Sequence, residues 1–363
     1  MTAGFFAPMP PARTGVADYA AALLTALRKH GNVELAPERC DIALYHVGNN
    51  RQHAGIYRRA LERPGVVVLH DAVLHHLLLG TLSEEQYVDE FVYNYGGWNR
   101  ALAAELWRGR AASGTEARYF QYPMLKRIVE SARAVIVHNP AAARMAQAHA
   151  KTPVVEIPHF FEPPETPTPE EVALYRQRLA PDAFVFGVFG YIRETKRLIQ
   201  ILEAFAAARQ HNPRLALLVA GSFASAELER AAGAWLREPG IIRLPHLPTQ
   251  DFWLAAASVD ACLNLRYPSA GETSGIAIRL MGIGKTVLLT DSEENAHFPE
   301  DACIRIPAGL PERDSLRSHM VLLPSNPGLN REIGRRAADF IRSQHSVEHV
   351  ARLYWNTLCA YCI

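Results

Sequence analysis

Twice along this 363-residue chain, short apolar runs of β-forming residues alternate with helix-like stretches, and a proline-rich segment separates the two series. The first series holds Gly4–Ala7, Ile42–Val47, Val66–Leu69, Val135–Val137 and Val154–Ile157. The second holds Phe184–Phe189, Ala216–Ala220, Ile241–Leu244, Ala261–Leu265, Val287–Thr290 and Cys303–Ile306. Strands that alternate with helices build parallel sheets covered by helices, so this pattern predicts an α/β chain with two Rossmann-like, doubly wound domains. Between the series, Pro158–Pro169 reads P-H-F-F-E-P-P-E-T-P-T-P, too rich in proline for a helix or a central strand, and is expected to be a linker. The domains are therefore expected at residues 1–160 and 161–344, with ligands in a central cleft at the carboxyl ends of the strands. Helical spacing returns at the end, where Ile333, Ala337, Phe340 and Ile341 are followed by Val347, Val350, Leu353, Tyr354 and Leu358.

Composition sets wide limits. With 49% hydrophobic and 21% charged residues the chain is an ordinary globular one, and a formal charge of +1 argues against a nucleic-acid partner held by bulk electrostatics. No apolar run reaches the roughly 20 residues that span a bilayer, and no secretion signal is read at the start, so a cytoplasmic location is expected. Five cysteines, an odd number, fit a reducing compartment. Cys359 and Cys362 form a C-x-x-C without a second pair, and are read as terminal-helix residues rather than zinc ligands.

Five segments hold residues suited to binding or chemistry. Arg266–Gly275 reads R-Y-P-S-A-G-E-T-S-G between a strand-like run and an apolar helical stretch. There the Glu272 carboxylate can hold sugar hydroxyls while the N–H groups of Thr273, Ser274 and Gly275 face a phosphate; on spacing alone a polar loop with a first-turn helix charge fits equally. In Phe5–Tyr19, Thr14 is a candidate N-cap, Ala20, Leu23, Leu24 and Leu27 form the buried face, and Gly31 is the expected stop. Gly15 and Val16 would then offer free N–H groups to a diphosphate, although a generic β–α turn has the same form. In Val66–His76, His70 and Asp71 end an apolar strand, whereas the adjacent His75 and His76 would point in different directions on a helix, which argues against zinc. Asn49, Asn50 and His53, in V-G-N-N-R-Q-H-A, suit the hydroxyls of an acceptor sugar or, as readily, an amide-rich turn. In Phe186–Arg197 a strand ends at a turn on Gly190, and Arg193 and Lys196, three apart, can approach one anion.

The Arg266–Gly275 segment resembles the donor-binding motif of the retaining glycosyltransferases of the two-Rossmann-domain (GT-B) type, glycosyltransferase family 4. The P-P-A-R-T-G-V-A-D-Y opening, the G-N-N-x-x-H run and the basic pair after Gly190 also resemble parts of that family. The resemblance implies that Glu272 and His70 hold the transferred sugar and that Arg193 and Lys196 bind the donor diphosphate. It further implies backbone contacts to the base near Leu247, and a last helix, 345–363, that crosses back to the first domain. It departs at one place: the family's second Glu, which contacts the donor ribose, falls near Leu280, and no acid lies between Glu272 and Asp291.

The expected function is a retaining glycosyltransferase that moves a sugar from a UDP- or GDP-linked donor to a hydroxyl of a glycan or lipid-linked acceptor, in surface polysaccharide or lipopolysaccharide synthesis. Arg193, Lys196, Glu272 and His70 are the catalytic set, and Asp71 either orients His70 or joins Asn49, Asn50 and His53 on the acceptor side. No D-x-D pair is present, which argues against the metal-dependent single-Rossmann glycosyltransferases, and no cofactor is expected beyond the nucleotide-sugar substrate. Tyr119, Phe120, Tyr122 and Lys126–Arg127 are a candidate peripheral contact with the inner face of a membrane. The alternatives are a nucleotide-sugar epimerase or hydrolase of the same fold, and a non-catalytic nucleotide-sugar-binding subunit.

Overall fold

The computed structural model describes residues 1–12, 14–149, 151–165 and 167–362. Contacts divide the chain into two units: Met1–Phe160 with Pro268–Thr273 and Ser346–Ile363, and Phe161–Tyr267 with Ser274–His345. The six residues Pro268–Thr273 thus belong with the first unit, although the sequence places them inside the second series of strands.

The first unit is a six-stranded parallel sheet, β1 (Thr2–Phe6), β2 (Asn32–Leu35), β3 (Ile42–Val47), β4 (Val66–Leu69), β5 (Ala134–Val137) and β6 (Val154–Glu156), in the order β2-β1-β3-β4-β5-β6. β3, β4 and β5 are buried at every position, which explains their apolar sequences, broken only by His46 in β3. β2 is an edge strand with only Val33 buried, and its N-V-E-L sequence gave no apolar signal. Helices cover both faces. Thr14 caps the helix Gly15–Leu27, as its sequence predicts, and Leu23, Leu24 and Leu27 are buried. That helix stops at Leu27 rather than at Gly31. Gly31 has a different duty: a Cβ there would lie 2.1 Å from the Trp355 ring. Trp355 belongs to the last helix, Val347–Ala360, which buries Val350, Ala351, Tyr354 and Leu358 in the first unit's core. Tyr354 Oη meets Tyr19 Oη at 3.0 Å, so the end of the chain completes the first unit.

The second unit repeats the plan with β7 (Phe184–Phe189), β8 (Leu215–Ala220), β9 (Ile241–Leu244), β10 (Ala261–Asn264), β11 (Thr286–Thr290) and β12 (Ile304–Ile306), all parallel, in the order β12-β11-β10-β7-β8-β9. Each sheet reverses its winding once, between β1 and β3 in the first unit and between β7 and β10 in the second. In open α/β sheets ligands bind beyond the carboxyl ends of the strands at such a reversal.

Candidate functional site

In the second unit, the carboxyl ends of β7 and β10 hold the predicted donor residues. Gly190 ends β7 with a φ of 89°, and a Cβ on Gly221, at the end of β8, would lie 1.8 Å from its carbonyl oxygen. Only glycine tolerates that approach of one strand end to the other. The turn Glu194–Lys196 follows. Lys196 is 6% exposed, and its ammonium donates to the Phe189 carbonyl and would stand 3.2 Å from a Cβ on Gly190. Arg193 is exposed one turn earlier, and the Lys196 N–H donates to its carbonyl. On the β10 side, the Tyr267 N–H donates to the Thr195 carbonyl, joining the two loops at the reversal of the sheet. The helix Gly275–Gly282 starts here, capped by Ser274, whose hydroxyl accepts the Ala277 N–H. A helix N-terminus leaves first-turn N–H groups for an anion. Leu280, where a second carboxylate was sought, is fully buried in this unit's core. Leu247 is half-buried against the same core, and His246 beside it is exposed.

Glu272 lies in the Pro268–Thr273 loop, which is stitched into the first unit. The Ala72 and Val73 N–H groups both donate to the Ala270 carbonyl, at 2.8 and 3.0 Å. Buried Asn139, just beyond β5, donates to the Gly271 carbonyl and to Thr273 Oγ1, both at 3.0 Å, while its Oδ1 accepts the Ala142 N–H and caps the next helix. Gly271 has a φ of 72° and would place a Cβ 2.7 Å from the Ala72 methyl. The Glu272 carboxylate is half-buried and accepts the Ala270 N–H at 2.8 Å, which fixes its direction on a rigid loop.

The first sheet brings four histidines to the carboxyl ends of successive strands: His46 in β3, His70 after β4, His138 after β5 and His159 after β6. Tyr19 packs against all four rings, at centroid distances between 4.7 and 6.3 Å. His46 Nδ1 lies 2.9 Å from His70 Nε2. Burial, and then the neighbouring histidines, hold His46 and His70 well below the usual imidazole pKa, so both are neutral near pH 7. Among the described residues no three His, Cys, Asp or Glu side chains are grouped as the ligands of a metal would be. Of this cluster only His70 was singled out in the sequence. Each of the others stands alone in its segment, and the signal that reveals them is shared position, at or just past a strand end.

The acceptor-side residues have structural work in the first unit. Asn49 donates to His76 Nδ1 and accepts the Leu77 N–H, at 3.0 Å each, and the Asp71 carboxylate accepts the Asn49 N–H at 2.7 Å. Asn50 is exposed and caps the turn Arg51–His53. His53 is fully buried and donates from Nδ1 to the His46 carbonyl; burial lowers its pKa. These bonds fit the amide-rich turn. Two sequence expectations need correction. The Val16 N–H is not free for a diphosphate, because Thr14 Oγ1 accepts it at 3.1 Å, which leaves Gly15 as the uncapped position. Tyr119 cannot join the expected membrane contact either, because it is fully buried with its hydroxyl on the Leu106 carbonyl; Tyr122 is half-buried against Phe91 and Tyr95, and Phe120, Lys126 and Arg127 are half-buried. Among the described residues no helix is long and apolar enough to cross a membrane.

Comparison with solved structures decides the fold. The chain matches Anabaena HepE in complex with UDP and glucose at a TM-score of 0.70 and 15% identity, over 99% of this chain and 100% of that one. The fold is GT-B. Sucrose-phosphate synthase from Thermosynechococcus elongatus matches at 0.69 and 13% identity over 99% and 100% of the two chains. WaaG, a glycosyltransferase involved in lipopolysaccharide biosynthesis, matches at 0.65 and 14% over 98% and 99%. Residues 194–356 match the family model described as Glycosyl transferase-like, a stretch that takes in the Lys196 turn, the Glu272 loop and most of the last helix of this GT-B chain. No curated protein matches the sequence.

Proposed function

We propose that this chain is a retaining glycosyltransferase of family 4 that transfers a sugar from a UDP- or GDP-linked donor to a hydroxyl of a glycan or lipid-linked acceptor. The observation that supports it most is the arrangement at the β7/β10 reversal, where Lys196, Arg193, the Gly190 turn and a helix N-terminus gather beyond the carboxyl ends of the strands. Cations and N–H groups held in place before reaction stabilise the charge that develops on a departing nucleoside diphosphate. Lys196 and Arg193 do this work in the proposal, in place of a metal ion. Glu272 and His70 hold the sugar; the glycosidic bond to the diphosphate breaks, the acceptor oxygen bonds to the anomeric carbon on the same face, and a phosphate oxygen of the leaving group takes the acceptor proton. The structures of HepE were determined with UDP and UDP-glucose, which favours a uridine donor for a chain of the same fold. The likeness to WaaG favours an acceptor in surface-glycan synthesis, reached from the cytoplasmic side of the membrane.

Glu272→Ala and Lys196→Ala should each lower kcat by about 100-fold or more with the fold intact, as removal of a preorganised charge does. Near-normal turnover in both would refute the assignment. The buried Leu280 at the ribose position is the observation that favours a non-catalytic donor-binding subunit. Such a subunit would bind a nucleotide sugar without consuming it, while an epimerase or hydrolase would consume it with no acceptor present.

A further inference from the structure

Within the histidine cluster of the first unit, one ring is too deep to touch a ligand. His46 is 0% exposed, on β3, with its ring against Phe5, Tyr19 and Tyr354. Its partner His70 is half-buried and lies at the strand end. The 2.9 Å between His46 Nδ1 and His70 Nε2 is a hydrogen bond between two imidazoles, and two assignments satisfy it. If His70 Nε2–H donates, the His46 proton sits on Nε2. That atom is buried and has no hydrogen-bond partner among the described residues, so it would be an orphaned N–H. If His46 Nδ1–H donates, His46 Nε2 carries only a lone pair, and orphaned buried donors are the rarer of the two defects in folded proteins. The neighbours follow the same pattern, because His53 and His138 each place Nδ1 on a backbone carbonyl, which can only accept.

We propose that His46 is a positioning residue that holds His70 as the Nδ1–H tautomer, so that His70 offers a substrate oxygen a neutral N–H donor and cannot serve as a base through Nε2. The role assigned to His70 rests on the function proposed above; the tautomer does not. His46 also fixes the ring plane, since His70 is held at Nε2 and stacked 5.2 Å from the His46 ring. A histidine that donates discriminates between substrates by whether an oxygen stands opposite Nδ1, whatever that substrate's charge.

The test is 15N NMR of the whole protein labelled at its histidines, with His70 assigned through His70→Gln. The wild type should show His46 Nδ1 and His70 Nδ1 protonated, His70 Nε2 unprotonated, and a nitrogen–nitrogen coupling across the shared hydrogen bond. His46→Phe, which has no donor, should return His70 to the Nε2–H form, and His46→Asn, whose amide can donate from nearly the same place, should restore Nδ1–H. With a nucleotide-sugar assay in hand, kcat/KM should fall about tenfold in His46→Phe, the equivalent of one hydrogen bond, and recover in His46→Asn. A proton on His70 Nε2 in the wild type would overturn the proposal, as would an unchanged His70 tautomer in His46→Phe. If His46→Phe does not fold, the wild-type protonation pattern and the coupling decide by themselves. The spectra need no turnover, so a wrong activity and a wrong tautomer give different results.

Discussion

Acidification offers the buried His75 imidazole a charge that its surroundings do not solvate. His75 is 0% exposed at the start of the helix His75–Thr81; its Nδ1–H donates to the Tyr119 carbonyl at 2.9 Å and its Nε2 accepts from the Tyr87 hydroxyl at 2.6 Å. A proton on Nε2 would make the Tyr87 hydroxyl an acceptor and leave a positive charge in a buried pocket, and burial, then the neighbouring His76, holds the pKa down to about 4. In the unfolded chain the same group titrates near its ordinary value of about 6.5. The sign follows. Above pH 6.5 neither state binds the proton and His75 costs nothing; between 6.5 and 4 only the unfolded chain binds it, so stability falls as pH falls, and below 4 the loss levels off. Integration to pH 5 gives a loss of about 2 kcal/mol from this one residue. His46, His53 and His70 shift in the same direction and add to the acid sensitivity of the first unit. Denaturant unfolding of the wild type and His75→Phe at pH 7.5 and pH 5 isolates the single term. The variant should be less stable at pH 7.5 by about 2–3 kcal/mol, because Tyr87 and the Tyr119 carbonyl lose their partner. Its further loss on going to pH 5 should be smaller than that of the wild type by about 2 kcal/mol. Equal pH dependence in the two proteins would refute the reasoning.

Asn139→Ala should cost about 2–3 kcal/mol, since it removes both a helix cap and two bonds to the Glu272 loop, and hydrogen exchange should speed up at residues 270–275 before it does elsewhere. Gly271→Ala adds a Cβ 2.7 Å from the Ala72 methyl at a left-handed φ, so a loss of about 2 kcal/mol or more is expected in thermal unfolding, together with weaker donor binding. Thr14→Ala should lower stability by about 1 kcal/mol through its lost cap and leave nucleotide affinity within about twofold, because the Thr14 hydroxyl is spent on Val16 and Ala17.

Much of the fold was legible in the sequence. Central parallel strands such as Val66–Leu69 and Phe184–Phe189 are buried on both faces and so appear as unbroken apolar runs with sharp ends. An edge strand escapes that logic: Asn32–Leu35 is held in the sheet by parallel pairing with β1 and buries a single side chain. For the site, legibility followed the backbone. Gly190 and Lys196 were legible because a tight turn after a strand favours glycine, and because Lys196, three residues after Arg193, can approach the same anion. The histidine cluster does not, since His46, His138 and His159 lie far apart in the chain and meet only because parallel strands bring their carboxyl ends together. Asn49 stayed open to two readings for a physical reason. An amide suits a sugar hydroxyl and a helix N–H equally well, and here it bonds Leu77.

The central claim is that the second unit binds a nucleoside diphosphate through Lys196 and the β7/β10 loops, and thermal unfolding with UDP, GDP, ADP or CMP, on the wild type and on Lys196→Ala, tests it most directly. A nucleotide at about 100 times its Kd should stabilise the wild type by about 2.7 kcal/mol, and the variant should lose most of that gain. No stabilisation by any of the four, or an equal gain in the variant, would contradict the account.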